Sequence, residues 1–151
     1  MFNLFLALHV LAVVFVIGPL AHAATTAGRG IRTGDGAATA LASRTARIYA
    51  NVSVVVVILG FGLMSMKDPD TKPPVKAGEF SQTWIWLSLL LWLAAMAIVQ
   101  AVLVPTLDKA TQLIAKQESV VSLTARVGAA GGVVGVLFAV IIVLMVYRPG
   151  S

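Results

Sequence analysis

The chain contains no cysteine, and this absence excludes every crosslink or centre that needs a thiolate. A disulfide framework, an iron–sulfur cluster, a cysteine-ligated zinc and covalent attachment of haem c are all ruled out. Whatever holds the fold together must therefore come from packing and hydrogen bonding.

Charged residues are also scarce. Only 11% of the 151 residues are charged while 59% are hydrophobic, whereas about a quarter of a soluble domain is charged. The net charge is +5. The basic residues lie mostly between apolar blocks and are not interleaved with aromatic residues. We therefore expect the positive charge to meet lipid and to set topology, and we expect no nucleic-acid partner.

Four long runs carry no charged residue: 1–28, 48–66, 80–107 and 127–147. About 20 apolar residues suffice for a helix to cross the hydrocarbon core, and backbone groups in lipid must bond within the segment. The sequence thus predicts an all-α fold, a single membrane domain over 1–151 with two helical hairpins. The predicted spans are approximately 3–23, 45–66, 81–106 and 126–147.

The first run is predicted to be a retained span and not a cleaved signal peptide. It lacks a positively charged start, and its apolar part is longer than the usual signal core. Seven basic residues lie in the first and third loops against four elsewhere. The positive-inside rule then predicts a multi-pass protein of the bacterial plasma membrane with both termini outside.

Helix starts and breaks can also be predicted. Asp35 is a plausible N-cap for a helix that leads into the second span. The third span should continue as a helix past Pro105, with a kink there. A kink is also expected in the first span at Gly18-Pro19. Both hairpins would then extend as helices into the cytoplasm. Four glycines in 27–36 predict a flexible segment, and three prolines in 66–78 predict a non-helical loop.

The two histidines, His9 and His22, are the first candidates for chemistry. On one helix they would be separated by about 19.5 Å of rise, too far to ligate the same iron. We expect His9 to lie at a packing interface between helices and His22 to lie at the interface end of the first span. The methionines of Met64-Ser65-Met66 are expected to pack. The prediction is no catalytic, cofactor or metal site and no enzyme, with haem or copper handling through His9 as the alternative.

Asn51 and Gln100 are the strongest polar side chains within the four uncharged runs, which hold no Asp, Glu, Lys or Arg. Buried amides in lipid seek partners, so we expect them to bond across helices. The alternative is a small homo-oligomeric transporter with these two amides lining a pore.

The most informative motif is structural. Gly128 and Gly132 are four residues apart, as are Gly131 and Gly135. Such spacing lets two helix backbones approach closely. We predict that these four glycines pack against a helix, which could belong to this chain or to another.

The start "LHVLAVVFVIGPLAHA", the four spans and the basic hairpin loops resemble a class of small bacterial four-helix membrane proteins of unknown function. Leu8 and His9 match an early pair shared with some haem- and copper-associated membrane families. Over its whole length the chain is similar to small accessory subunits of the actinobacterial cytochrome bcc–oxidase supercomplex. That resemblance implies a non-catalytic subunit of a respiratory complex, such as a cytochrome c oxidase, whose partners are larger membrane subunits and lipids.

Overall fold

The structure is a computed structural model that describes residues 1–150. Within them the chain forms four long helices: α1 (Phe2–Thr33), α2 (Gly36–Met64), α3 (Thr83–Ala115) and α4 (Val121–Tyr147). All four are long and apolar enough to cross a membrane, which fits a multi-pass membrane protein. The predicted all-α class is confirmed, and α1 and α3 run well past the predicted ends of their spans.

The helices pack in a ring in chain order. α1 contacts α2, α2 contacts α3, α3 contacts α4, and the second half of α1 closes the ring against α4. The tight connections α1–α2 and α3–α4 share one end of the bundle, the hairpin end. Both termini and the linker between α2 and α3 share the other, the terminal end.

The α1–α2 connection corrects one prediction. Segment 27–36, predicted to be flexible, is helical up to Thr33, and Gly28 and Gly30 are buried within it. A Cβ at Gly30 would lie 3.1 Å from side-chain atoms of α2, so this glycine serves close packing. The turn itself needs only Gly34, at φ +64°, and Asp35, whose carboxylate accepts from the Ala38 amide at 3.0 Å. The predicted N-cap is confirmed.

Two helices widen into a π-helical turn just before a proline. These turns are Val13–Ile17 before Pro19 and Val99–Leu103 before Pro105. A proline inside a helix offers no N–H to the carbonyl four residues earlier and its ring crowds that carbonyl. A wider turn relieves the crowding, and such turns are common at functional sites. The first helix of each hairpin thus contains a π-helical turn followed by a proline.

The linker between α2 and α3 is non-helical, as its prolines predicted. Two backbone bonds pair its arms, from the Asp68 amide to the Val75 carbonyl at 2.8 Å and from the Ala77 amide to the Met66 carbonyl at 3.0 Å. This pairing brings the end of α2 back to the start of α3.

The core lies around the two prolines and along α4. The largest fully buried apolar side chains are Leu20, Val99, Leu103, Leu107, Val127 and Val134. A smaller cluster of Met64, Trp84 and Ile85 lies at the terminal end. The bundle is therefore packed more tightly in its centre and hairpin half than near its termini.

Candidate functional site

The structure keeps the two histidines apart. His9 is half-buried in the terminal half of α1, while His22 is exposed beyond Pro19. Within residues 1–150, no three His, Cys, Asp or Glu side chains come close enough together to hold a metal ion. Met64 is buried at the end of α2, and Met66 is half-buried in the linker that follows.

His9 lies directly against a glycine of α2. A Cβ at Gly60 would be 3.3 Å from the imidazole Cε1, so the missing side chain makes room for the ring. The Nδ1 atom of His9 is buried and accepts or donates no hydrogen bond of good geometry, although the Val56 backbone of α2 lies close to the ring. A buried polar atom without a partner costs free energy, which marks this position as unusual.

A second buried polar atom without a partner lies on α3. Ser88, near the start of α3, is only 6% exposed, and no group in the described part of the chain bonds its Oγ. Both Ser88 and His9 line a cavity of about 370 Å³ between the terminal halves of the four helices.

The π-helical turn in α1 explains why this cavity exists. Before the turn α1 packs mainly on α2, and only after it does α1 pack closely on α4. No residue of the segment before the turn, Phe2–Ala12, is buried. The terminal half of α1 therefore stands away from α3 and α4 and leaves the space open.

The cavity wall is otherwise apolar and partly rigid. Trp92 lines it and donates its Nε1–H to Ser53 Oγ at 3.1 Å. Ser53 is fully buried and in turn donates to the Ala50 carbonyl at 2.6 Å. At the terminal end the Arg148 guanidinium lies 5.7 Å from the centroid of the Trp84 ring, a cation–π distance.

The predicted bond between the two amides is confirmed. Gln100 Nε2 donates to Asn51 Oδ1 at 3.0 Å, joining α3 to α2. Both residues are nevertheless exposed, and Gln100 lies in the π-helical turn of α3. The pair lies on the outer surface of the chain, toward the hairpin end of the two apolar runs, with Asn51 one helical turn from Arg47.

The four glycines of α4 divide into two pairs. A Cβ at Gly131 would overlap the Ala24 carbonyl oxygen, and one at Gly135 would lie 3.1 Å from Thr25 Cγ2, so this pair faces α1. At Gly128 and Gly132 no atom of the described chain lies within 4 Å of the Cβ position. Their side of α4 faces outward.

A polar cluster links α2 to α3 at the hairpin end. Asp108 accepts from Ser43 Oγ and from Arg47 Nη2, the latter at 2.6 Å. Nearby, the hydroxyls of Thr39 and Thr111 are 2.7 Å apart. These contacts fix the two helices where they extend past the apolar spans.

Sequence reasoning missed Ser88, Gly60 and Ser53. Each is a single small residue in an apolar run, a pattern that is common in membrane helices. Their importance arises only when helix packing brings them beside His9 or Trp92. Comparisons with models of protein families, with curated proteins and with solved structures find no match to this chain.

Proposed function

We propose that this protein is a non-catalytic packing subunit of a larger complex in the bacterial plasma membrane. The observation that carries the proposal is the exposed Asn51–Gln100 pair in the middle of α2 and α3. Together with the exposed apolar residues around it, Ile48, Val55, Ile58 and Leu93, it forms a surface that we call the amide face.

The hydrogen-bond capacity of the pair supports a partner. Each amide has one carbonyl oxygen and two N–H donors, and the bond between Asn51 and Gln100 uses one donor and one lone pair. Where lipid covers this surface, no water satisfies the rest. A neighbouring transmembrane helix that brings a polar side chain to this depth would do so, and such bonds join membrane helices.

The resemblance makes a cytochrome bcc–oxidase complex the first partner to test. The chain would hold no redox centre and would act by packing against larger subunits. Membranes of the native bacterium would be solubilised gently and separated by size, with the protein expected to migrate with the haem absorbance of the oxidase. Migration alone, apart from any haem, would contradict the proposal.

The contact can be located with a photo-crosslinking residue at Val55, on the amide face, and at Leu11, an equally exposed residue of α1. We expect an adduct with a subunit of the haem-containing complex from position 55 and none from position 11. The double substitution Asn51→Leu and Gln100→Leu should reduce co-migration, whereas His22→Leu should not. An adduct from position 55 to a second copy of this chain would instead support the homo-oligomeric alternative.

A further inference from the structure

We infer that the cavity beside His9 binds a lipid-soluble, uncharged molecule that carries a hydroxyl or carbonyl group. This ligand site is separate from the amide face and does not depend on a partner subunit. The size of the cavity, the chemistry of its wall and its access from the lipid all favour such a ligand.

The size suits a small organic molecule. Ligand pockets usually measure about 300–1,000 Å³, and a cavity of about 150 Å³ accommodates benzene. At about 370 Å³ the cavity has room for two fused rings or a branched chain of similar bulk. Trp84 and Trp92 line it and would give flat surfaces for ring stacking.

The chemistry of the wall selects a mostly apolar ligand with one polar atom. Valine, leucine, isoleucine, phenylalanine and tryptophan side chains dominate the lining. The polar exceptions are His9 and Ser88, whose buried Nδ1 and Oγ atoms make no hydrogen bond of good geometry within the described chain. Both atoms are covered in this structure, and a rotation of either side chain toward the cavity would let a ligand oxygen bond it and recover the free energy that its burial costs.

A hydrocarbon tail of a phospholipid fits this pattern less well, because it would leave both atoms unsatisfied. An anionic ligand also fits poorly. Among the described lining residues the cationic side chain is Arg148 at the terminal end, already placed over Trp84. Burying a charge without a close partner is far more costly than burying a hydroxyl or carbonyl.

The cavity is accessible from the side. Val10 and Val14 of α1, together with Ile142 and Val146 of α4, line it and are each about half exposed or more. The gap between these two helices, opened by the π-helical turn of α1, therefore faces the surface that the bilayer would cover. A ligand dissolved in the membrane would enter without crossing the aqueous phase.

The test uses the purified full chain in phosphatidylcholine nanodiscs, with 2-naphthol as the probe and naphthalene as its hydrocarbon counterpart. Calorimetric titration should show saturable binding of 2-naphthol. His9→Leu and Ser88→Ala should each weaken this binding roughly 3- to 10-fold, the loss of about one hydrogen bond. Naphthalene should bind more weakly than 2-naphthol, and both substitutions should change its affinity by a smaller factor.

Two matched controls complete the experiment. His22→Leu and Ser122→Ala replace exposed residues of the same types and should leave 2-naphthol binding unchanged. Retained naphthalene binding shows that a variant is folded. Failure of 2-naphthol to saturate the wild-type chain, or equal losses for both probes in His9→Leu, would overturn the inference. Neither result bears on co-migration with an oxidase, which tests the packing subunit separately.

Discussion

Adjacent residues of α4 have opposite surroundings. The Cβ position of Gly131 collides with the backbone of α1, with the Ala24 carbonyl carbon 2.8 Å away, while that of Gly132 is open. We expect Gly131→Ala to destabilise the fold by about 1–3 kcal/mol through overpacking. Gly132→Ala should be neutral or stabilising by up to about 1 kcal/mol, because alanine favours helix more than glycine does.

Thermal unfolding of both variants in the same detergent checks this prediction, with Gly132→Ala as the matched control one residue away. Each kcal/mol corresponds to roughly 2–4 °C for a chain of this size. Equal melting temperatures for the two variants would show that Gly131 does not hold α1 against α4.

The glycine motif also shows how far residue-scale prediction reaches. Spacing identified four small residues on α4, but spacing is the same for the pair that faces α1 and for the pair that faces outward. Which pair a neighbour covers depends on the rotation of α4 within the bundle. That rotation is set by long-range contacts of core residues such as Phe138 and Ile141. No local pattern of the sequence encodes these contacts.

At the scale of the element, Pro19 determines the path of α1. Pro19 has no N–H to donate to the Phe15 carbonyl, and the helix widens into the π-helical turn Val13–Ile17 before it. We expect Pro19→Ala to restore that donor and to let the turn close into regular α-helix. Closing it by one residue would rotate the segment before it by about 100°, which takes His9 away from Gly60.

Spin labels attached to cysteines at Leu4 and Leu90, both exposed, would report the separation of α1 and α3 across the cavity. The distance should change in the Pro19→Ala chain and stay constant in Pro149→Ala, which alters a proline outside the helices. An unchanged distance in both would mean that packing, and not the missing donor, holds the turn open.

The helices themselves were largely predictable, since uncharged runs and the Asp35 cap both have local causes. The helical character of residues 27–33 was not. Glycine content indicates flexibility when a chain is considered alone, but in the bundle Gly28 and Gly30 are buried. Here a tertiary contact outweighs the local preference of glycine.

For the whole molecule, the testable property is orientation. Positive-inside bias predicts the hairpin end in the cytoplasm and the terminal end outside. Because the chain has no cysteine, single substitutions report their own location. We expect Ser81→Cys to react with a membrane-impermeant maleimide in intact cells and Ser119→Cys to react only after permeabilisation, since both serines are exposed at opposite ends of the bundle. The reverse labelling pattern would invert the topology.

The segment Phe2–Ala12, in which no residue is buried, has a consequence for local stability. Opening it exposes little apolar surface, so its amides should exchange hydrogen with a lower opening free energy than those of α4. The segment Phe2–Ala12 is thus the part of the cavity wall that should open most readily. The volume available beside His9 is bounded by a helix segment that holds no buried residue of the core, so a change in that volume should cost little free energy.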